Sequence, residues 1–495
     1  MTRPDSYFAH PAYSALAIRP DGREVSFAGA AGGAWIAPIE GGPARPLAVA
    51  DRVSGLSWDP DGRRLAVADE GGIFLLEGRE VRSLRPKDGA ERSLAREPFS
   101  PEGGLLALST SERGAGVRDL AILPVQGGEA RLLTRTDFSL DPLCWSRDGR
   151  FLAAAVERSG RHVDLAVAEI ESGEVQDLTS GRPPARRDPI GFSTDGSALY
   201  LLTDEGRDRI GLARFGLRDG ALEWVKTPEW DIDLARMSAD GRHILYAVNE
   251  DSIHRLRLLD RNSGREPDLP PLPTGAFLAL AISSNGIQWA GLHSSSRHPP
   301  HVAAYDPSQR RVAALRAGGA ELPPEQECVD AEIVRIQSFD RKVPALLYRP
   351  RGAAHDHTGP ALLWARARPG TQEHPDYKPL AQSLAACGFT VLLPNPRGSR
   401  GYGPAFERAD DAAGIRRDYE AAAQFLRALP DVDPDRMAIC GGPGLGSIAA
   451  DLAAALEGPW AAAVDFEATA APSHTLPHFV APSEAEAAAW LADTV

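Results

Sequence analysis

Near the end of this 495-residue chain, Ser447, Asp465, His474 and His478 have the types and order that acyl transfer uses. In such chemistry a base deprotonates a hydroxyl or thiol, and an acid orients the base. Their local settings argue against that role here. Ser447 lies on the helical run SIAADLAAALEG, one turn beyond Pro443 in the glycine-rich turn Gly441-Gly442-Pro443-Gly444-Leu445-Gly446. A local packing or hydrogen-bonding role is expected for it. His474 and His478 sit in APSHTLPHF, whose prolines mark a surface loop, and Asp465 closes the short apolar segment AAAVDF. Cys144, Cys328, Cys387 and Cys440 are far apart and form no C-x-x-C pair, so a disulfide framework is unsupported. No group of His, Asp and Glu has metal-ligand spacing. Neither a metal nor a cofactor is expected.

The elements that must carry these residues are of two kinds. A chain of this length is expected to form two or three domains, and 43% hydrophobic with 25% charged residues suits a soluble globular protein. A formal charge of −14, with arginines scattered rather than clustered, argues against nucleic acid as a partner. The start of the chain has no apolar signal region, and no run of about 18 apolar residues occurs. No membrane partner and a cytoplasmic location are therefore expected.

Seven segments share one plan: LAIRPDGREVSFAG, LSWDPDGRRLAVAD, EPFSPEGGLLALST, LCWSRDGRFLAAAV, IGFSTDGSALYLLTD, ARMSADGRHILYAV and LAISSNGIQWAGL. In each, two alternating strands flank a turn whose glycine supplies a positive φ. Gly22, Gly62, Gly103, Gly149, Gly196, Gly241 and Gly286 are 40, 41, 46, 47, 45 and 45 residues apart, the length of a four-stranded propeller blade. Second hairpins such as IFLLEGREVRSL fall between them. The pattern predicts a seven-bladed β-propeller of four-stranded blades over residues 1–325, with the linker AELPPE at its end. After it, short buried strands (VPALLYRP, ALLWARA, FTVLLPN, RMAICG, AAAVDF) alternate with helical runs, which predicts a doubly wound α/β sheet over residues 326–495.

Three segments then carry a family resemblance: NPRGSRGYGPAF, VDPDRMAICGG and SSSRHPPHVAAYDP. Together with the order of the domains they make the chain similar to the prolyl oligopeptidase family of serine peptidases, which includes acylaminoacyl and dipeptidyl peptidases. The resemblance implies a propeller followed by an α/β-hydrolase domain, with hydrolysis of short peptides at a site between them. Its nucleophile elbow, G-G-S-Y-G-G, aligns with Gly441–Gly446 and places Pro443 at the serine and Leu445 at a glycine. Its oxyanion motif, H-G-G-P, aligns with Arg366-Ala367-Arg368-Pro369. The two arginines either face solvent and nearby acids, or hold an anionic ligand in the old cleft. The family's later strands, bearing its acid and histidine, have no counterpart before Val495, so an incomplete hydrolase domain is expected.

The reading of function is a peptidase homologue without catalysis, retaining a peptide-binding or scaffold role. The alternative is an active peptidase or esterase with another nucleophile, or with a second chain completing the domain. Expected partners are peptides in the interdomain cleft, and a second copy or another chain at an open sheet edge.

Overall fold

The computed structural model describes residues 5–8, 13–29, 32–48, 52–69, 72–85, 89–112, 117–134, 139–159, 162–317, 322–351, 358–365, 369–441, 452, 460–466 and 478–495. Residues Tyr13 to Leu315 form seven separate antiparallel sheets. Their first strands contact one another in sequence, and the first strand of blade seven returns to that of blade one, so the sheets close into a ring. This is the seven-bladed propeller that the repeats predict.

The repeat turns show why the spacing was informative. All seven turn glycines have φ between 67° and 74°, a conformation that costs other residues but not glycine. In six of the seven blades, a buried side chain three residues before the glycine caps the second strand. Ser146 Oγ accepts from Phe151 N at 2.9 Å, Ser193 Oγ from Ala198 N at 3.0 Å and Ser238 Oγ from His243 N at 2.9 Å. Asp59 does the same in blade two, accepting from Arg64 N at 3.0 Å.

Blade six corrects the expectation of four strands throughout. It has three, Ile232–Met237, His243–Glu250 and Ile253–Asp260, where the other six blades have four. Residues 261–274 follow the last strand, and Pro267, Pro270, Pro271 and Pro273 deprive them of the N–H groups that a fourth strand would donate. Leu269 and Leu272 still pack against the core shared by blades six and seven.

Among the described residues no strand is exchanged between blades one and seven, and an apolar cluster holds them. Phe27, Val25 and Ile18 of blade one pack with Leu292, Val302 and Leu315 of blade seven. Phe27 is fully buried, meets Tyr13 edge-on at 5.7 Å and stacks on Trp35 at 6.1 Å. Phe27→Ala is expected to destabilise the propeller by about 3–5 kcal/mol, the usual cost of emptying a buried aromatic site. Urea unfolding measures it, and a cost under about 1 kcal/mol would show that closure rests elsewhere.

The second domain is one seven-stranded sheet. Its strands are β1 (Ala331–Gln337), β2 (Lys342–Tyr348), β3 (Gly359–Ala365), β4 (Thr390–Pro394), β5 (Val432–Gly441), β6 (Trp460–Asp465) and β7 (His478–Val480). The order is β1-β2-β4-β3-β5-β6-β7. Pairs β1–β2 and β2–β4 are antiparallel and the rest are parallel. Strand β7 corrects the reading of His478 as a loop residue. Its backbone begins a strand in which Phe479 adds apolar surface to the core.

The N-terminal helix α1 (Asp5–Phe8) lies on this domain although it precedes the propeller, and Tyr7 packs with Cys328 and Tyr377. One face of the sheet is covered by α4 (Ala412–Arg427), through Tyr419, Ala422 and Leu426. The other is covered by α2 (Pro379–Ala386), and by α5 (Glu484–Thr494), which α1 also touches. Ser483 caps α5 by accepting from Glu486 N. Leu491 is buried, while Trp490 stacks on Phe479 at 5.4 Å. Between α2 and α4 lies the short helix α3 (Pro404–Glu407). No helix among the described residues is long and apolar enough to cross a membrane.

Candidate active site and domain interface

Parallel α/β sheets place their sites at the carboxyl ends of the strands. Here Ala365, the last residue of β3, is in register with Gly441, the last of β5. Strands β3 and β5 therefore end side by side. Residues 366–368 and 442–446, together with Ser447 and His474, lie outside the described residues. Gly441 is buried at the end of β5 and Pro369 opens a turn in which Gly370 N donates to Gly398 O at 2.8 Å. Asp465 is fully buried at the end of β6, beside β5. The side chain of His478 is not described. Cys144, Cys328 and Cys440 are buried and Cys387 is exposed, all as free thiols.

The loop after β4, residues 395–403, is built from the motif NPRGSRGYG. Arg397 is its anchor. Its backbone N–H and guanidinium donate three bonds to Asp418 of α4 at 2.8–3.0 Å, and the guanidinium also reaches Asp340 at 2.8 Å. Ser338 Oγ donates to the same Asp418 at 2.7 Å. The bonds to Asp418 push the Arg397 pKa above its already high ordinary value. Such a pair fixes a loop rather than offering a charge to a ligand.

The rest of the loop is docked on the propeller. Tyr402 Oη lies 2.7 Å from Ser252 Oγ in the blade-six hairpin, and burial raises its pKa to about 12. Arg209 donates to Tyr402 O at 2.9 Å, and Gly403 N donates to Asp231 at 3.3 Å. Glycine is needed at two of these positions. A Cβ on Gly401 would lie 2.2 Å from Gln372 Oε1, and one on Gly403 would lie 1.8 Å from the Arg209 guanidinium, both at φ values of 83° and 91° that L side chains resist. Burial, with Asp233 nearby, lifts the Asp231 carboxyl to about 6.

The interface also gathers a group invisible in the sequence. Asp233, His254 and His374 bring one possible ligand atom each within 4.8 Å of one another. Their hydrogen bonds oppose metal binding. Phe277 N donates to His254 Nδ1 at 2.9 Å, so the ring proton is on Nε2, which donates to Asp233 Oδ2 at 3.0 Å. A nitrogen carrying that proton has no lone pair for a cation or a base role. His374 Nδ1 donates to Ser252 O at 2.7 Å, and burial, with His254 beside it, holds its pKa below the usual range. Gln372 completes the contact, accepting from Asn249 at 2.6 Å and donating to Ser252 Oγ at 3.1 Å. The bonds of His374 and Gln372 join the two domains, drawn from segments too distant in sequence for spacing to reveal.

A second contact uses the serine run of SSSRHPP. Tyr377 N donates to Ser294 Oγ at 2.9 Å, Ser296 Oγ to Pro375 O at 3.2 Å and Gln382 to Ser296 O at 2.7 Å. One cavity at this interface, between Asp204, Asp231, Arg400 and Arg408, is about 40 Å³. That is about the share of one water, far below the roughly 300 Å³ at which ligand pockets begin.

Comparison with known proteins agrees with this architecture. A sequence profile described as the prolyl oligopeptidase family matches residues 375–465, from the loop before α2 to the end of β6. Dipeptidyl aminopeptidase BIII of Pseudoxanthomonas mexicana is 24% identical over 472 residues, which cover 88% of this chain and 67% of that protein. The uncharacterized peptidase YuxL of Bacillus subtilis (strain 168) is 24% identical over 506 residues, covering 86% and 68%. Among solved structures, a puromycin-hydrolyzing peptidase of Mycobacterium tuberculosis superposes with a TM-score of 0.79 at 20% identity, covering 93% of this chain and 78% of that one. With a seven-bladed propeller, a hydrolase sheet ordered β1-β2-β4-β3-β5-β6-β7 and a matching profile, the chain is a peptidase homologue of the prolyl oligopeptidase family.

Proposed function

We propose that this chain is a non-catalytic member of its family, whose two domains serve as a scaffold that binds peptides or a partner protein. One feature of the sequence carries the reading: Pro443, two residues past the last residue of β5, aligns with the serine of the family's elbow. Proline has no hydroxyl to deprotonate. Its φ, locked near about −65°, does not suit the strained turn of a nucleophile elbow, yet it suits the first residue of a helix. Leu445 stands where the family's elbow has a glycine. The interface geometry is consistent with a structural role, because Tyr402, Gln372 and His374 spend polar groups on Ser252 of the propeller.

The full chain is expected to show no labelling by a fluorophosphonate probe under conditions that label an active relative to completion. It is also expected to show no hydrolysis of aminoacyl or acyl-peptide chromogenic substrates above buffer. Stoichiometric labelling, mapped by mass spectrometry to any serine, would overturn the proposal and establish an active hydrolase with a different nucleophile.

A further inference from the structure

The innermost strand of every blade ends on the same pattern. Four residues before each turn glycine stands an apolar side chain. It is aromatic in four blades (Trp58, Phe99, Trp145 and Phe192) and aliphatic or a thioether in the other three (Ile18, Met237 and Ile282). Sevenfold repetition around one axis brings these positions onto one circle, and all seven line a single cavity of about 440 Å³. Two residues further on, Pro20, Pro60, Pro101 and Arg147 form part of its rim. The cavity lies at the end of the propeller that carries the glycine turns. The hydrolase domain is held at the other end, by hairpins at Ser252 and Ser296. Its volume is within the range of small-molecule sites, roughly 300–1,000 Å³.

Two charged residues line it, Glu97 and Arg147. Glu97 is exposed, and it opens onto the cavity with protein packed around it. Arg96 and Arg236 face it, with Asp188 and Cys144 close by. Neither arginine hydrogen-bonds to it. Arg96 is held by Asp188 at 2.7 Å and Pro189 O at 2.8 Å, and Arg236 donates to Ala235 O at 2.8 Å. The two cations therefore only partly offset the desolvation of the carboxyl, whose pKa rises to about 7. The buried indole N–H of Trp58 also has no acceptor among the described residues. An anionic point inside an aromatic collar is the arrangement that attracts organic cations, through charge and the ring faces together.

We propose that this vestibule binds a primary amine on an aromatic or branched apolar body, with the ammonium at Glu97 and the body inside the collar. The site belongs to the propeller alone and does not rest on the absence of catalysis. The amine can belong to a free small molecule or to a peptide N-terminus, and the two sources are separable.

Isothermal titration of the full chain at pH 8 with 2-phenylethylamine, and with Phe-Gly-Gly amide, is expected to show saturable one-to-one binding of at least one of them. Tighter binding of the first assigns the site to free amines, and of the second to peptide N-termini. The N-acetyl derivative and 3-phenylpropionate are expected to bind at least about tenfold more weakly, because a cation and an apolar body are both required. Glu97→Gln, close in shape, is expected to weaken the amine about tenfold.

Protonating Glu97 removes the attraction, so the affinity for 2-phenylethylamine, whose amine stays protonated over this range, should fall about tenfold from pH 8 to pH 6 as the carboxylate is lost through a pKa of about 7, and E97Q should lose this dependence. Trp58→Phe provides a second check, since it should diminish the fluorescence change on binding. Equal binding of 3-phenylpropionate, unchanged affinity in folded E97Q, or no saturation by either amine up to about 10 mM would overturn the proposal.

Discussion

Asp418→Ala is expected to destabilise the hydrolase domain by about 3–5 kcal/mol, the cost of removing one partner of a buried ion pair. Asp418 is fully buried, and it accepts the backbone N–H and guanidinium of Arg397 together with the hydroxyl of Ser338. Its loss leaves the buried Arg397 with Asp340 alone, and frees the loop that docks on blade six. The comparison is Arg400→Ala. Arg400 pairs with Glu407 at 3.3 Å but its side chain is 44% exposed, so water and salt screen the contact and the expected cost is within about 1 kcal/mol. Urea unfolding followed by domain-selective proteolysis reads both. Equal costs for the two variants would show that Arg397–Asp418 is no clamp.

Pro443→Ser is expected to leave the chain without measurable turnover. In a well-studied serine protease, loss of the nucleophile alone lowers turnover on the order of a million-fold, and loss of the base costs about as much. A restored hydroxyl would therefore regain nothing without a base. Of the described histidines, His254 has both ring nitrogens engaged, and His374 is bonded to the propeller backbone. Leu445 would still stand where the family has a glycine, so Pro443→Ser with Leu445→Gly is the stricter test. Both are expected to match the parent chain in steady-state and burst assays. A burst of product from either would show that a base and an oxyanion site are assembled after all.

Much of this architecture was legible in the residues because it is local chemistry repeated. A glycine at positive φ with alternating strands on either side defines a hairpin wherever it occurs. The even spacing of these hairpins leaves few folds other than a propeller. The alternation of buried strands with helical runs likewise implied the doubly wound sheet, and the identity of residue 443 is a fact of sequence that no fold can reverse.

Other features depended on which segments meet. The proline-rich stretch after Asp260 carries the chemistry that forbids a fourth strand, yet blade six was expected to follow the average of its neighbours. His478 was read as a loop residue because strand pairing to β6 is a long-range choice, set by the sheet edge that Ala463–Asp465 offers. Helix α1 precedes the propeller in the chain and lies on the hydrolase domain, since Tyr7 is buried there against Cys328 and Tyr377. Asp233, His254 and His374, and likewise Glu97 with its ring of aromatic residues, are scattered by sequence and gathered by the closure of the propeller and its docking. Local propensity determines hairpins and helices, but the partners of a buried charge are decided only when distant strands share one axis or one interface.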